Sequence, residues 1–249
     1  MAYQTVFKRY EIKYTITNKQ KQLLLQAMQP YMAPDKYGRT TIRNIYFDTD
    51  NYRLVRRSLE KPDYKEKLRI RSYGQSTENS TVFVELKKKY ENVVYKRRLP
   101  LGQREAMDWL CGNAPCPTDS QISREIEYFR RFYDGLRPSV FLSYEREAFF
   151  EPDGDLRVTF DDRILCRQTD LSLSSPVYGD PVIDDDTVIM EIKCSGGIPL
   201  WLVEVLSKEK IYKTSFSKYG KAYEALILPN LPFKKTYSKK EILHHEYIL

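Results

Sequence analysis

Between Tyr64 and Tyr73 the chain alternates strictly, and each second residue is basic: Lys65, Lys67, Arg69 and Arg71 share one face of a strand. The same parity recurs along the chain. Arg9, Glu11 and Lys13 lie opposite Tyr10, Ile12 and Tyr14, and Glu85, Lys87 and Lys89 lie opposite Val82, Val84 and Leu86. Lys96 with Arg98, Arg146, Arg157 with Asp161, and Glu191 with Lys193 continue the series. A solubilising face mixes both signs, because like charges opposite one another across a ladder are destabilising. A face so rich in cations is tolerable where strands curl and turn it toward a common space that holds a polyanion, with the apolar faces packed outward on helices. Ordinary solvent-facing sheets are the bland alternative for any single strand.

Period-two alternation predicts eight strands, over residues 5–14, 41–48, 64–73, 81–89, 92–99, 139–150, 156–162 and 187–194. Helices are fewer. Thr17 followed by Gln20 forms a capping-box signature ahead of Leu24, Ala27, Met28 and Tyr31 at helical spacing. A second, short helix ends at Gly112. A third starts near Asp119, with Ile122, Ile126, Phe129 and Tyr133 inward, and stops at Gly135. Pro199 opens a fourth, and a fifth covers 215–226. The stretch from Asp170 to Asp186 reads as a long surface loop. The predicted class is α+β, an eight-stranded antiparallel β-barrel tunnel with helices outside. No repeat or composition break divides the chain, so 1–249 is read as one domain, with its core over about 5–228 and a tail over 229–249.

Composition narrows the function classes. Hydrophobic residues make up 41% of 249, enough for a core, and 41 Lys and Arg against 34 Asp and Glu leave a formal charge of +7. The most apolar stretch, Ile198 to Leu206, already contains Glu204, so no membrane segment is expected. Met1 to Arg9 lacks a signal-like apolar run, which predicts a cytoplasmic protein with reduced cysteines. Cys111, Cys116, Cys166 and Cys194 show no CxxC spacing. The two histidines, His244 and His245, fall in the last six residues, which argues against histidine-based hydrolases and zinc enzymes. Neither GxxxxGK[ST] nor GxGxxG after a strand occurs, so phosphates would be held by side-chain cations. A pI near 9.0 also suits nucleic acid, but most of the tyrosines fall on the strand faces opposite the cations and no RNP-like or helix-turn-helix pattern is present. Carboxylates in an anion cavity need a reason. Glu11, Glu85 and Glu191 are candidate ligands for Mg²⁺ or Mn²⁺, or else salt-bridge partners of neighbouring cations.

Seven segments occur in the order seen in the VTC domain: Arg9-Tyr-Glu-Ile-Lys13, Lys67-Leu-Arg-Ile-Arg71, Val84-Glu-Leu-Lys87, Tyr144-Glu-Arg-Glu-Ala-Phe149, Leu156-Arg-Val-Thr-Phe-Asp161, Met190-Glu-Ile-Lys193 and Ser217-Lys-Tyr219. Over about 5–228 the chain resembles this family, which includes the polyphosphate polymerase subunits of the vacuolar transporter chaperone and belongs to the triphosphate tunnel metalloenzyme superfamily. The resemblance implies a metal-dependent polyphosphate polymerase that uses ATP and inorganic polyphosphate. A triphosphate hydrolase and a non-catalytic sensor of polyphosphate or inositol polyphosphate are the alternatives. Carried over by position, Arg69, Arg71, Lys87, Arg146 and Arg157 would be catalytic, and Lys13, Lys67, Lys89, Lys96, Arg98, Ser217 and Lys218 would bind phosphate. Glu191, with Glu85 and Glu11, would hold Mn²⁺ or Mg²⁺. Hydrolase and cyclase members begin with Glu-x-Glu-x-Lys, whereas Arg9 stands at the first of those positions here. That departure implies a weakened second metal site and favours transfer to phosphate over transfer to water.

Overall fold

The computed structural model describes residues 10–91 and 93–231. Arg9, the predicted start of the first strand, the His244–His245 pair and nearly all of the predicted tail lie outside them.

The elements run β1 (Tyr10–Thr17), α1 (Asn18–Met28), β2 (Ala33–Pro34), β3 (Thr40–Asp48), α2 (Arg53–Leu59), β4 (Tyr64–Tyr73), β5 (Thr81–Tyr90) and β6 (Val93–Gly102). They continue with α3 (Gln103–Leu110), α4 (Gln121–Phe132), β7 (Arg137–Phe150), β8 (Arg157–Arg167), β9 (Asp180–Pro181), β10 (Thr187–Cys194), α5 (Leu200–Lys208), β11 (Lys213–Thr214) and α6 (Lys218–Ala222). The eight long strands are those the alternation predicts. The expected capping box is present, with Gln20 N donating to Thr17 Oγ1 at 3.2 Å and Thr17 N donating to Gln20 Oε1 at 3.0 Å.

Every pairing is antiparallel, and the path through the sheet is β11-β1-β10-β8-β7-β3-β4-β5-β6, with β2 on β7 and β9 on β8. The antiparallel sheet with helices packed on it is as expected, but its closure into an eight-stranded barrel is not seen among the described residues. The sheet has eleven strands, three of them two-residue bridges, and among the described residues no ladder joins β6 to β1 or β11. Alternation specifies which face of a strand is buried but not which edges meet. The sheet nonetheless curls: Lys87 Nζ on β5 reaches both carboxylate oxygens of Glu11 on β1 at 3.3 Å, across six places in the strand order.

Helices cover the convex face. Leu68, Ile70, Val82, Val84 and Leu86 pack with Trp109 of α3 and with Ile126 and Phe129 of α4. Val158, Phe160, Met190 and Ile192 pack with Leu24 and Met28 of α1 and with Leu202 and Leu206 of α5. A third cluster joins Val55 of α2 and Tyr219 of α6 to Tyr46 and Tyr144. In the first two clusters β4, β5, β8 and β10 turn apolar residues outward, whereas the third packs α2 and α6 on the concave side, beside the charged positions.

Candidate functional site

Register determines which cations meet. Lys65 lies opposite Lys89, Lys67 opposite Lys87 and Arg69 opposite Glu85, and β6 continues these rows with Lys96 opposite Lys87 and Arg98 opposite Glu85. A row of three lysines therefore runs beside a row in which a glutamate separates two arginines. The lysine row is the arrangement a ladder selected for stability alone avoids.

Glu85 is 1% exposed and is the counter-ion of its whole neighbourhood. It accepts from Arg69 Nε and Nη2 at 2.9 and 2.7 Å and from Arg98 Nε and Nη2 at 2.8 and 2.6 Å. Lys96 Nζ lies 2.7 Å and Arg71 Nε 3.9 Å away. Burial alone would raise the Glu85 carboxyl, but Arg71, Arg69, Lys96 and Arg98 hold it well below the usual carboxylate range. Tyr46 and Tyr144 extend the arrangement, accepting from Arg69 Nη1 at 2.9 Å and from Arg71 Nη2 at 3.0 Å, while Arg71 Nε donates to Asn44 at 3.0 Å.

Asp161 is a second hub, also 1% exposed. Arg146 binds it through two bonds of 2.6 and 2.7 Å, and Lys218 Nζ donates to it at 2.6 Å. Against the effect of burial, Arg146 and Lys218 bring its pKa down to about 2. The start of α6 is fitted against the same face: Lys67 Nζ donates to Ser217 Oγ at 2.8 Å, Lys13 Nζ donates to the Phe216 carbonyl at 3.1 Å, and Tyr219 stacks on Tyr46 with centroids 4.6 Å apart.

Glu11 and Glu191 come together beside Lys13, whose Nζ is 3.6 Å from each, and Lys193 Nζ lies 2.7 Å from Glu191. Burial would raise the Glu191 carboxyl, but Lys193, the hydrogen bond with Glu11, Lys13 and Lys87 keep it well below its ordinary value. Among the described residues no three His, Cys, Asp or Glu side chains form a metal-holding group. Two carboxylates that leave the remaining positions to water and substrate phosphate fit Mg²⁺ or Mn²⁺ all the same, since such ions commonly use one or two carboxylates and the phosphates themselves. Glu85 differs from this pair because two arginines each bind it through two hydrogen bonds, whereas lysines meet Glu11 and Glu191.

Burial and the neighbouring charges of Lys13, Lys87, Lys65 and Arg69 lower the Lys67 ammonium to about 7. Lys96 is likewise lowered to about 7 by burial, Glu85 only partly opposing the repulsion of Arg71, Arg69 and Arg98. The crowding of cations on this face thus works against full protonation of Lys67 and Lys96 at neutral pH.

The structure gathers Lys13, Lys67, Arg69, Arg71, Lys87, Lys96, Arg98, Arg146, Ser217 and Lys218 with the three glutamates, and Lys89 extends the lysine end. Arg157 stands apart. Its side chain is 46% exposed and its Nη2 lies 3.4 Å from Asp35, beyond the cluster around Asp161. Asp161, Tyr46, Tyr144 and Asn44 belong to the site although the sequence did not mark them as such. Asp161 had a signal, since parity sets it on the Arg157 face. The neutral groups had none, because a tyrosine or asparagine in a strand is as readily core as site.

Three comparisons bear on this geometry. The family model of the VTC domain matches residues 8–227. The vacuolar transporter chaperone complex subunit 4 of Schizosaccharomyces pombe is 33% identical over 138 residues, which cover 47% of this chain and 19% of that protein. The chain thus spans less than a fifth of that relative. Among solved structures, a candidate adenylate cyclase from Bacillus halodurans aligns with a TM-score of 0.54 at 16% identity, covering 86% of this chain and 96% of its own. A candidate adenylyl cyclase from Hippeastrum with a dominant triphosphatase activity aligns at 0.52 and 17% identity, covering 88% of this chain and 95% of its own. At those identities the two structures share the fold with this chain.

Proposed function

The chain belongs to the VTC domain family, and we propose that it is a polyphosphate polymerase, which moves the terminal phosphate of ATP onto a growing inorganic polyphosphate chain within the curled sheet. In this reading the eight long strands form the wall of a tunnel and α6 lies against its inner face. The observation that carries the proposal is the concave face itself: among the described residues its Lys and Arg side chains gather around Glu11, Glu85, Asp161 and Glu191 and outnumber them. That excess of positive charge fits a ligand more anionic than a single phosphate.

The chemistry follows from the hubs. Glu85 holds Arg69, Arg98 and Lys96 in place before substrate arrives, and Asp161 does the same for Arg146 and Lys218, so these donors need little reorganisation to meet phosphate oxygens. Two polyanions repel one another, and positioning them in line is the main difficulty of the transfer. The terminal phosphate of the acceptor is largely ionised at neutral pH, its second pKa being about 6. It therefore needs no general base, and the site offers no histidine to act as one among the described residues. The leaving group is the nucleoside diphosphate, whose developing charge Lys and Arg side chains would stabilise. Glu191 and Glu11 would hold Mn²⁺ or Mg²⁺, which when bound would neutralise charge on the phosphates. Glu85 is assigned to the arginines rather than to the ion, and Arg157 to the edge of the face.

Incubating the purified protein with ATP and Mn²⁺ and resolving products by chain length tests this reading. A ladder of lengthening polyphosphate with ADP released in step is expected. Orthophosphate as the only phosphate product would favour hydrolysis, and no turnover with tight polyphosphate binding would favour a sensor.

A further inference from the structure

Along β4, β5 and β6 the concave face changes character from one end to the other. Toward Lys65 it is a field of lysines, whereas toward Tyr73 it becomes aromatic. Tyr73 and Phe83 meet edge to face with centroids 5.8 Å apart, and the Arg98 guanidinium lies 4.6 Å from the Phe83 ring. Arg98 is fixed there, donating through Nη2 to the Tyr73 hydroxyl at 3.0 Å and to Glu85 at 2.6 Å.

Core packing does not explain these rings. Val82 and Val84, on either side of Phe83, are fully buried on the convex face, while Tyr73 is 50% exposed and Phe83 half-buried. A pair of accessible rings sits on a part of the face otherwise lined by charge, beside a guanidinium held by hydrogen bonds to Glu85 and Tyr73. Planar π-faces with a guanidinium alongside are what a nucleobase stacks on. Phe83 and Glu85 are two residues apart on one strand, about 6.7 Å, a separation that a ribose bridges between a base and the first phosphate. The opposite end is unsuited to a base, because α6 lies against Lys67 and its surroundings are cationic.

We propose that Phe83, Tyr73 and Arg98 form a nucleobase subsite at the Tyr73 end of the face, so that ATP lies with its triphosphate directed toward Lys87 and the lysine end is left to the polyphosphate chain. The proposal rests on the nucleotide-dependent reading above, and it assigns a polarity to the face.

Calorimetric binding of ATP and of tripolyphosphate, which has no base, separates the two. Phe83→Ala is expected to raise the ATP dissociation constant roughly five- to tenfold while leaving tripolyphosphate binding unchanged, and Tyr73→Ala, which also frees Arg98, is expected to weaken ATP more than tripolyphosphate. An equal loss for both ligands, or no loss for ATP, overturns the subsite. In the unmutated protein, the triphosphate of 2-aminopurine riboside should lose emission on binding through stacking, and bound but unquenched nucleotide overturns the subsite without recourse to variants. A wild-type protein that elongates polyphosphate from ATP but binds ATP equally well after loss of either ring sinks the subsite alone, and one that binds no nucleotide sinks the polymerase reading beneath it as well.

Discussion

Glu85 shows how one residue can organise a site without touching its ligand. Its carboxylate is the common acceptor for Arg69, Arg98 and Lys96, so Glu85→Gln would leave three cations facing a neutral amide. Removing one partner of a buried ion pair typically costs about 3–5 kcal/mol, and here the loss should fall near the lower figure because the cations keep partial access to water. Urea unfolding of the variant checks this, and added tripolyphosphate should restore much of the stability by supplying the missing negative charge. Stability equal to wild type would mean that Glu85 does not hold the cations together. Glu191→Gln is expected to behave differently. It should abolish Mn²⁺-dependent turnover yet spare polyphosphate binding measured with chelator present, since the amide keeps the size and removes a charge next to the ligand. Full activity of this variant at low Mn²⁺ would make Glu191 only the partner of Lys13 and Lys193.

Among the elements, α6 is the one that joins the scaffold to the site. Ser217 caps it, accepting from Gly220 N at 3.0 Å, and also accepts from Lys67, while Lys218 reaches Asp161. Gly220 sits where α6 approaches α2: a Cβ there would come within 2.8 Å of Leu59 Cδ2 and 3.2 Å of Ser217 Oγ. Gly220→Ala should therefore cost roughly 1 kcal/mol, since the Leu59 tip can give way, but it should lower turnover more than stability because Lys218 and Ser217 shift with the helix. Thermal melts and product yield measured side by side would reveal that divergence, and matching losses would reduce α6 to packing. Sequence made α6 legible only as part of a helix over 215–226, whereas the structure ends it at Ala222 and continues with a wider turn over Tyr223–Ile227. The long strands were legible because each has one apolar face, and parity placed nearly all the cations correctly. What parity could not supply was partnership across the curl, as with Lys87 on Glu11. Nor could it show saturation: Glu85 and Glu191 look alike in sequence, and only the register gives one of them to arginines. Helix α2 was missed because Arg53–Leu59 is short and carries Arg53, Arg56 and Arg57 in seven residues, too little apolar periodicity to register.

For the molecule as a whole, the crowding of cations makes stability, ligand binding and protonation parts of one equilibrium. Lys67 and Lys96 have folded pKa values near 7, and Lys65 and Lys87 are also lowered, in each case chiefly by burial. An unfolded lysine titrates near 10.4. Between pH 7 and that value the unfolded chain binds more protons than the folded one, so stability of the ligand-free protein should rise with pH across this range. Below pH 7 both states are protonated, and the full cost of charging the buried lysines remains. Asp161, Glu85 and Glu191 are lowered carboxylates and contribute a constant term here, because their stabilisation is already complete above the unfolded carboxylate pKa. The thiols of Cys111, Cys166 and Cys194 are raised and begin to act in the opposite sense near the unfolded thiol pKa of about 8.5. Melting temperatures from pH 6.5 to 8 should therefore climb. A bound polyanion reverses the lysine term by raising their pKa values again, so polyphosphate binding should take up protons and weaken as pH rises. Calorimetry at pH 7.5 in two buffers of different ionisation enthalpy measures that uptake directly, at a pH where the terminal phosphates are already largely ionised. Lys67→Met should stabilise the empty protein, weaken polyphosphate binding and reduce the proton uptake, three changes that simple loss of packing would not produce together. Buffer-independent binding heats in the wild type would mean that the lysine row remains fully charged in the empty protein, and that the like charges on β4, β5 and β6 are compensated by some other means.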